Sequence, residues 1–179
     1  MINIAVSAQR VFTVPADLAR TTSHFCDFGH TLDCLAPHLR LVATYARDQY
    51  RMLYSVTEAG VYRVAFYCDI QVRYDESSQI LSVTPLEGVP PVAPKAKLNS
   101  LTGQGTYRGR SPFQSAGPHT SITYDVEIQA ALPKRLEWKL IPHAVITRLV
   151  EARGHGGRQL RLNEITDTFI ARSIDGLCS

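Results

Sequence analysis

The sequence lacks several features that would assign it to a class of protein or to a type of chemistry. No stretch approaches the roughly 18 to 20 consecutive apolar residues that a membrane-spanning helix needs. It contains no G-x-S-x-G turn, no H-E-x-x-H or H-x-x-x-H pair and no phosphate-binding glycine loop. We therefore expect no catalytic residue that the sequence can name, no metal and no cofactor.

The cysteines and the first residues indicate a compartment. Cys26, Cys34, Cys68 and Cys178 have no C-x-x-C spacing and lie among apolar residues or near the chain end, which favours free thiols. Residues 1–14 alternate like a strand and lack the basic region, apolar core and cleavage site of a secretory signal. We therefore expect a cytoplasmic protein with reduced cysteines.

Length and charge favour a single globular domain. The 179 residues, of which 45% are hydrophobic, suit one domain over residues 1–179. Residues 1–133 hold 11 basic and 11 acidic side chains, whereas residues 134–179 hold 8 and 5, so the net charge of +3 lies near the C-terminus. This bias is far from the dense basic stripe of a nucleic-acid-binding protein, so we expect no nucleic acid partner. A solvated helix face explains it better than a patch for anionic lipid.

Alternation of apolar and polar residues predicts a sheet. Residues 62–74 place apolar or aromatic side chains at every even position, and residues 121–132 repeat the pattern. Turn signals separate several of the strands, which indicates an antiparallel meander of about seven strands. Weaker alternation predicts the other strands over residues 2–14, 39–48, 49–59, 79–87 and 97–109.

Glycine and proline modify this predicted sheet. Gly103, Gly105 and Gly109 interrupt one strand and predict bulges or sharp coiling, which let a sheet curl. The run EGVPPVAPKAK, residues 87–97, is too rich in proline for a central strand. It predicts a rigid, exposed loop.

Helical periodicity occurs at both ends of the chain. Pro15 stands in the predicted first turn of a helix, and a second short helix is predicted over residues 29–36. Pro142 marks the start of a long C-terminal helix. Within it, the glycines of EARGHGGRQLRL lack phosphate-loop spacing, so we expect close packing or a hinge at Gly156 and Gly157.

One cluster contains several types of metal-ligating residue. His24, Cys26, Asp27 and His30 lie close together in the sequence. On a helix they straddle two faces, whereas a metal site needs its ligands to converge on one point. The pattern therefore favours surface or capping residues.

The predicted order is a strand, one or two short helices, six further strands and a long helix. It resembles the helix-grip architecture of the START-like (SRPBCC) superfamily, an α+β fold in which a curved antiparallel sheet wraps around a long C-terminal helix. HFCDFGHTLDCLAPHLRL, VAFYCDIQVRYDESSQILSV and VEIQAALPKRLEWKLIPHAVITRLVEARGHGGRQL resemble an uncharacterised family common in cyanobacteria and plastids. Asp175 is followed by Gly176, where that family tends to have aromatic residues. The resemblance implies a cavity between the sheet and the helix, and it identifies no catalytic residues.

The inward faces of the predicted strands and helix form a candidate ligand site. An apolar pocket with few polar groups suits a small hydrophobic ligand such as a lipid, an isoprenoid, a quinone or a pigment. The same side chains would equally well fill a closed core. The candidate lining residues are Tyr62, Val64, Phe66, Cys68, Ile70, Ile122, Tyr124, Val126, Ile128, Leu149, Leu162, Ile165 and Phe169.

Three functions remain open at the level of the sequence. We expect a protein that binds a small hydrophobic ligand for transport or sensing. One alternative is an interaction or assembly factor without a ligand, which contacts a protein partner or the surface of a photosynthetic membrane. The other is a cyclase- or hydrolase-like enzyme, whose cavity would need two titratable groups within hydrogen-bond reach of each other. Neither the ligand nor the oligomeric state follows from the sequence.

Overall fold

A computed structural model describes residues 2–58, 62–97, 99–132 and 155–178. Its elements, in chain order, are β1 (Ile2–Val14), α1 (Leu18–Cys26), α2 (Phe28–Cys34), β2 (Leu39–Ala46), β3 (Gln49–Glu58), β4 (Tyr62–Asp75), β5 (Ile80–Pro85), β6 (Lys95–Lys97), β7 (Ser100–Ala116), β8 (His119–Leu132) and α3 (His155–Cys178). The predicted α+β class, the curved sheet, the two short helices and the long C-terminal helix are confirmed.

The strands form one sheet in the order β1-β8-β7-β5-β4-β3-β2, and β6 pairs with β7. All neighbours are antiparallel except β4 and β7, which pair in parallel from Arg63↔Ser100 to Tyr67↔Gln104. Between these two strands, β5 covers only part of their length and ends at Pro85, opposite Ile70. Just past this end, the backbone N–H of Leu86 still donates to the carbonyl of Asp69, at 2.9 Å. Beyond that point β4 and β7 meet directly.

The predicted exposed loop contains a short strand that sequence patterns missed. Residues 95–97 pair with β7 as β6, and all three residues are exposed. Two lysines and an alanine carry no alternating pattern, so only the pairing defines this strand. The sheet therefore has eight strands, against about seven predicted.

Both short helices are confirmed, with one boundary corrected. Asp17 is the N-cap of α1, and its Oδ1 accepts a hydrogen bond of 2.8 Å from the backbone N–H of Arg20. Pro15 therefore precedes the cap and does not stand in the first turn. Asp27 ends α1 and also caps α2, where its Oδ1 accepts from the N–H of His30 at 3.2 Å.

The glycines of β7 allow close packing and do not form bulges. β7 pairs with β8 from Gln104↔Ala131 to Ala116↔His119 in a single register that skips only Ser111 and Pro112, so the predicted bulges at the glycines are wrong. A Cβ on Gly103 would lie 2.5 Å from the carbonyl oxygen of Ala131, and one on Gly105 would lie 2.7 Å from Cδ2 of Phe66. The register shifts of this sheet occur instead in the edge strand β2, between Leu41 and Ala43 and between Thr44 and Ala46.

The C-terminal helix packs on the inner face of the sheet. Leu162, Ile165, Phe169 and Leu177 are buried at three-, four- and eight-residue steps. Polar contacts attach it to its neighbours: Arg10 of β1 pairs with Asp167 at 2.8 Å, Arg20 donates to the carbonyl of Leu177, and Arg172 donates to carbonyls at the end of α2. The predicted start at Pro142 lies outside the described residues, whereas Gly156 and Gly157 fall in the first turn of α3.

A buried carboxylate holds the proline-rich loop against the outer face of the sheet. Asp69 on β4 is 6% exposed. Arg51 donates to both its oxygens, at 2.7 and 2.9 Å, and Tyr45 and Gln104 donate at 3.0 and 3.1 Å. Arg51 also donates to the carbonyl of Pro90 at 2.8 Å, so the same guanidinium joins strand and loop.

The electrostatics of this network favour the charged form of Asp69. Burial by itself raises the pKa of this carboxyl, but the hydrogen bonds from Arg51, Tyr45 and Gln104 and the charge of Arg51 outweigh it. The pKa of Asp69 therefore lies below its ordinary value. Its ionised form stabilises the fold and positions the loop.

We expect Gly103→Ala to lower the free energy of unfolding by about 3 kcal/mol, because the added methyl group overlaps the backbone of β8. Urea denaturation measures the change. The control is Gly29→Ala in α2, where the new Cβ would meet only Oδ1 of Asp27, at 3.4 Å. This control should leave stability unchanged or raise it by up to about 1 kcal/mol. Equal losses in both variants would contradict the close approach.

We expect Asp69→Asn to cost about 3 kcal/mol at pH 7, because it leaves the charge of Arg51 without its partner. A lowered pKa in the folded state means that the carboxylate stabilises the protein fully above about pH 4 and loses this contribution as the pH falls. Urea unfolding at pH 7 and at pH 3 should therefore show a difference between wild type and variant that shrinks in acid. Asp33→Asn, at an exposed position in α2, is the control and should change little. A difference that is independent of pH would contradict the role of the charge.

Candidate functional site

An interior cavity of about 40 Å³ lies between the centre of the sheet and the helices. This volume has room for about one or two water molecules and is much smaller than the roughly 300 to 1,000 Å³ of ordinary ligand pockets. Phe25 of α1, Phe28 of α2 and Phe169 of α3 line its helical side. The other lining residues are Thr31, Leu35, Leu39, Met52, Val72, Leu81, Val83, Tyr107, Gly109, Ser111, Ile122 and Tyr124.

The small residues of β7 leave space for this cavity. Alternation along β7 directs residues 103, 105, 107, 109, 111 and 113 to the inner face, and three of these six are glycines and one is serine. At Gly109 an added Cβ would lie 3.3 Å from Cε1 of Tyr107 and 3.5 Å from Cβ of Val83. A methyl group there would crowd the ring of Tyr107 and contact Val83. The cavity therefore depends on the missing side chain at Gly109.

Two tyrosine hydroxyls meet at the cavity. The hydroxyl oxygens of Tyr107 and Tyr124 are 2.8 Å apart, and the ring of Tyr124 lies 5.3 Å from that of Phe169. Burial raises the pKa of both phenols, and the neighbouring phenol raises that of Tyr107 further. Both hydroxyls are therefore protonated at neutral pH. One donates to the other, and the accepting hydroxyl keeps its own proton for an oxygen or nitrogen of a ligand.

The residues that line the interior cavity give little support for acid–base catalysis. Of the described residues that line the cavity, none is acidic, basic or a histidine. Burial, followed by the charge of Asp69, raises the pKa of the nearby Cys68 thiol to about 12. Because the thiolate is the nucleophilic form, Cys68 is inert at neutral pH. The arrangement can bind an apolar molecule and donate a hydrogen bond to it.

The structure separates the predicted lining residues into groups. Ile122, Tyr124 and Phe169 line the cavity. Val64 is half-buried, whereas the side chain of Tyr62 and all of Leu149 lie outside the described residues. The remaining residues are buried in the hydrophobic core without lining the cavity: Phe66, Cys68, Ile70, Val126, Ile128, Leu162 and Ile165.

Sequence reasoning missed the aromatic residues of the two short helices and Tyr107. The position of Tyr107 could have predicted its place at the cavity, because it is the aromatic residue between Gly105 and Gly109 on the same face of a strand. For Phe25 and Phe28, no feature of the sequence was sufficient to place them at the cavity. A helix places aromatics on one face, but the packing of the helix decides what that face contacts.

The histidine cluster forms a surface pocket of about 370 Å³ at the end of α3. The rings of His24 and His30 are 4.5 Å apart, and burial, followed by the charge of His30, lowers the pKa of His24. A Cβ on Gly176 would lie 3.0 Å from Nε2 of His30. The side chain of His30 thus requires a small residue after Asp175. Within the described ranges, no group of three or more His, Cys, Asp or Glu side chains is placed to hold a metal ion.

We expect Tyr124→Phe to cost about 1 to 2 kcal/mol, because it leaves the hydroxyl of Tyr107 without its partner. The double variant Tyr107→Phe/Tyr124→Phe should cost less than the sum of the two single changes, because neither hydroxyl then remains. Urea unfolding of the three variants measures this coupling. Strictly additive losses would show that the two hydroxyls do not interact.

None of the helices that the structure describes is long and apolar enough to span a membrane. No protein-family model matches the chain, and the comparison with curated proteins gave no match. Solved structures do match it along almost their whole length.

One match is the ZhuI aromatase/cyclase from Streptomyces sp. R1128, with 10% identity, a TM-score of 0.51 and coverage of 97% of this chain and 94% of that one. A conserved protein from Geobacillus kaustophilus matches with 11% identity, a TM-score of 0.54 and coverage of 99% and 95%. The solution structure of KanY matches with 10% identity, a TM-score of 0.53 and full coverage of both chains. At these identities the likeness concerns the fold alone. The chain has the helix-grip fold, and its resemblance to the START-like superfamily and to a family common in cyanobacteria and plastids stays a prediction.

Proposed function

We propose that the chain binds a small, mostly apolar ligand in the interior cavity and that Tyr107 and Tyr124 hold the ligand's one hydrogen-bonding group. The observation that carries this proposal is the pair of neutral, hydrogen-bonded phenol hydroxyls at a mostly apolar cavity, whose other polar lining residues are Thr31 and Ser111. Burying a polar group is favourable only where it finds a partner. The pair offers such a partner to an alcohol, a phenol or a carbonyl group.

The size of the cavity sets a condition on binding. A space of about 40 Å³ is too small for the lipids, isoprenoids, quinones and pigments predicted from the sequence. Such a ligand binds only if lining side chains move. Met52 is the most adaptable of them because its side chain is flexible and unbranched, while Phe28 stacks on Tyr50 at 4.6 Å. We therefore expect binding to be coupled to a local opening of the interior.

An enzymatic function has weaker support. The cavity does hold two titratable groups within hydrogen-bond reach, as a cyclase or hydrolase would need. Both are phenols with raised pKa values, so each is a poor acid and neither provides a base at neutral pH. Binding needs only their neutral forms. This difference favours a binding protein over an enzyme.

An interaction or assembly function is a second candidate, and the edge strand β2 favours it. Leu41 and Val42 are each 45% exposed there. The two register shifts in β2 make the edge irregular, and irregular edges resist the addition of a further strand. Strand addition is therefore disfavoured, and the interior cavity remains the better candidate site.

The test is a fluorescence titration of the purified protein with N-phenyl-1-naphthylamine, a neutral apolar probe, together with a native mass spectrum of the protein as purified. We expect binding of the probe, and roughly tenfold weaker binding to Gly109→Val, whose side chain would crowd Tyr107 and Val83 at the wall of the cavity. The control Thr106→Val adds the same side chain at an exposed position of the same strand and should bind normally. Equal affinities of both variants, or no binding by wild type, would refute the proposal.

A further inference from the structure

Four hydroxyl-bearing side chains line the interior cavity: Thr31, Tyr107, Ser111 and Tyr124. The two phenols hydrogen-bond to each other at 2.8 Å. Thr31 donates its hydroxyl to the carbonyl oxygen of Phe25 at 3.3 Å. Ser111 differs from the other three, because no hydrogen bond joins its hydroxyl to any residue that the structure describes.

The hydroxyl of Ser111 is buried at the cavity. The residue is 7% exposed, and the alternation along β7 directs it to the same inner face as Tyr107 and Gly109. A buried hydroxyl without a partner has given up hydrogen bonds with water and gained none, so each such group in a native protein calls for an explanation. An alanine at this position would avoid that cost. A role in ligand binding explains the serine.

Ser111 and the phenol pair lie at different points of the cavity wall. The β7–β8 pairs on either side of Ser111 place it opposite Tyr124. Side chains directly opposite each other on antiparallel strands start about 5 Å apart, so Ser111 lies beside the backbone end of Tyr124. The hydroxyl that Tyr124 shares with Tyr107 is at the other end of its ring. The wall therefore has two separate hydrogen-bonding points.

The rest of the described lining is apolar and includes Phe25, Phe169 and Ile122. An apolar ligand body gains free energy by burial against these side chains. Each polar group on the ligand lowers this gain unless it finds a partner inside the protein. The serine hydroxyl can donate one hydrogen bond and can also accept one, so it suits an alcohol or a carbonyl group.

We propose that Ser111 determines the specificity of the interior cavity and that the ligand carries two hydrogen-bonding groups on a compact apolar body, as a diol or a hydroxyketone does. One group binds at Tyr107 and Tyr124, and the other binds at Ser111. This inference rests on the proposed function, because it assumes a ligand at the phenol pair. It adds the second polar group of that ligand and the residue that selects it.

The test is an NMR titration of the ¹⁵N-labelled protein at pH 7.5 with two probes of nearly equal size, trans-1,4-cyclohexanediol and trans-4-methylcyclohexanol. The second probe has a methyl group in place of one hydroxyl. We expect Ser111→Ala to bind the diol about tenfold more weakly than wild type does, because the second hydroxyl loses its partner. Its affinity for the methyl compound should stay within about twofold of wild type.

Two controls separate ligand binding from effects on the fold. Ser115→Ala makes the same change at an exposed position of the same strand and should bind both probes normally. Ser111→Ala should unfold at the same urea concentration as wild type or at a higher one, because it removes a hydroxyl that has no partner among the described residues. A marked loss of stability would show that Ser111 has a structural role, and would overturn the inference.

The binding results distinguish this inference from the proposed function. Equal weakening of both probes by Ser111→Ala would mean that the serine only shapes the cavity, and unchanged binding of the diol would mean that no ligand group needs it. Either result overturns the inference and leaves binding at the phenol pair intact. If neither alcohol binds to wild type while N-phenyl-1-naphthylamine does, the inference fails alone. If that apolar probe also fails to bind, both proposals fail.

Discussion

The close approach of β7 to its neighbours is the constraint on which the sheet depends. At Gly103 the backbone of β8 leaves no room for a Cβ, and at Gly105 the ring of Phe66 occupies that space. This approach allows β7 to pair with β8 on one side and with β4 on the other, once β5 has ended at Pro85. The direct pairing of β4 with β7 sends the proline-rich segment over the outer face of the sheet. The ion pair of Asp69 with Arg51 then holds that segment in place.

The same small residues create the candidate site. A strand with bulky residues along its inner face would fill the space beneath the helices, whereas Gly109 leaves a cavity beside Tyr107. The two phenols stabilise each other there, and their burial keeps them neutral. The candidate site and the close pairing of the sheet therefore both depend on the small residues of β7. A change that fills the cavity also tests how far the fold tolerates a side chain on this face.

The C-terminal helix connects the interior to the surface. Phe169 lines the cavity, while Arg161 and Arg172 of the same helix line a surface groove of about 350 Å³. Leu35, at the end of α2, borders both spaces.

The sequence by itself determined the kinds of element and their order, because the period-two alternation of residues 62–74 and the caps of the short helices are local signals. It also placed Ile122, Tyr124 and Phe169 on inward faces. Only the tertiary structure decided the parallel pairing of β4 with β7, the strand β6 and the meeting of Tyr107 with Tyr124. These features depend on register and on the packing of helices against the sheet. Such contacts join residues far apart in the chain, and no local pattern specifies them.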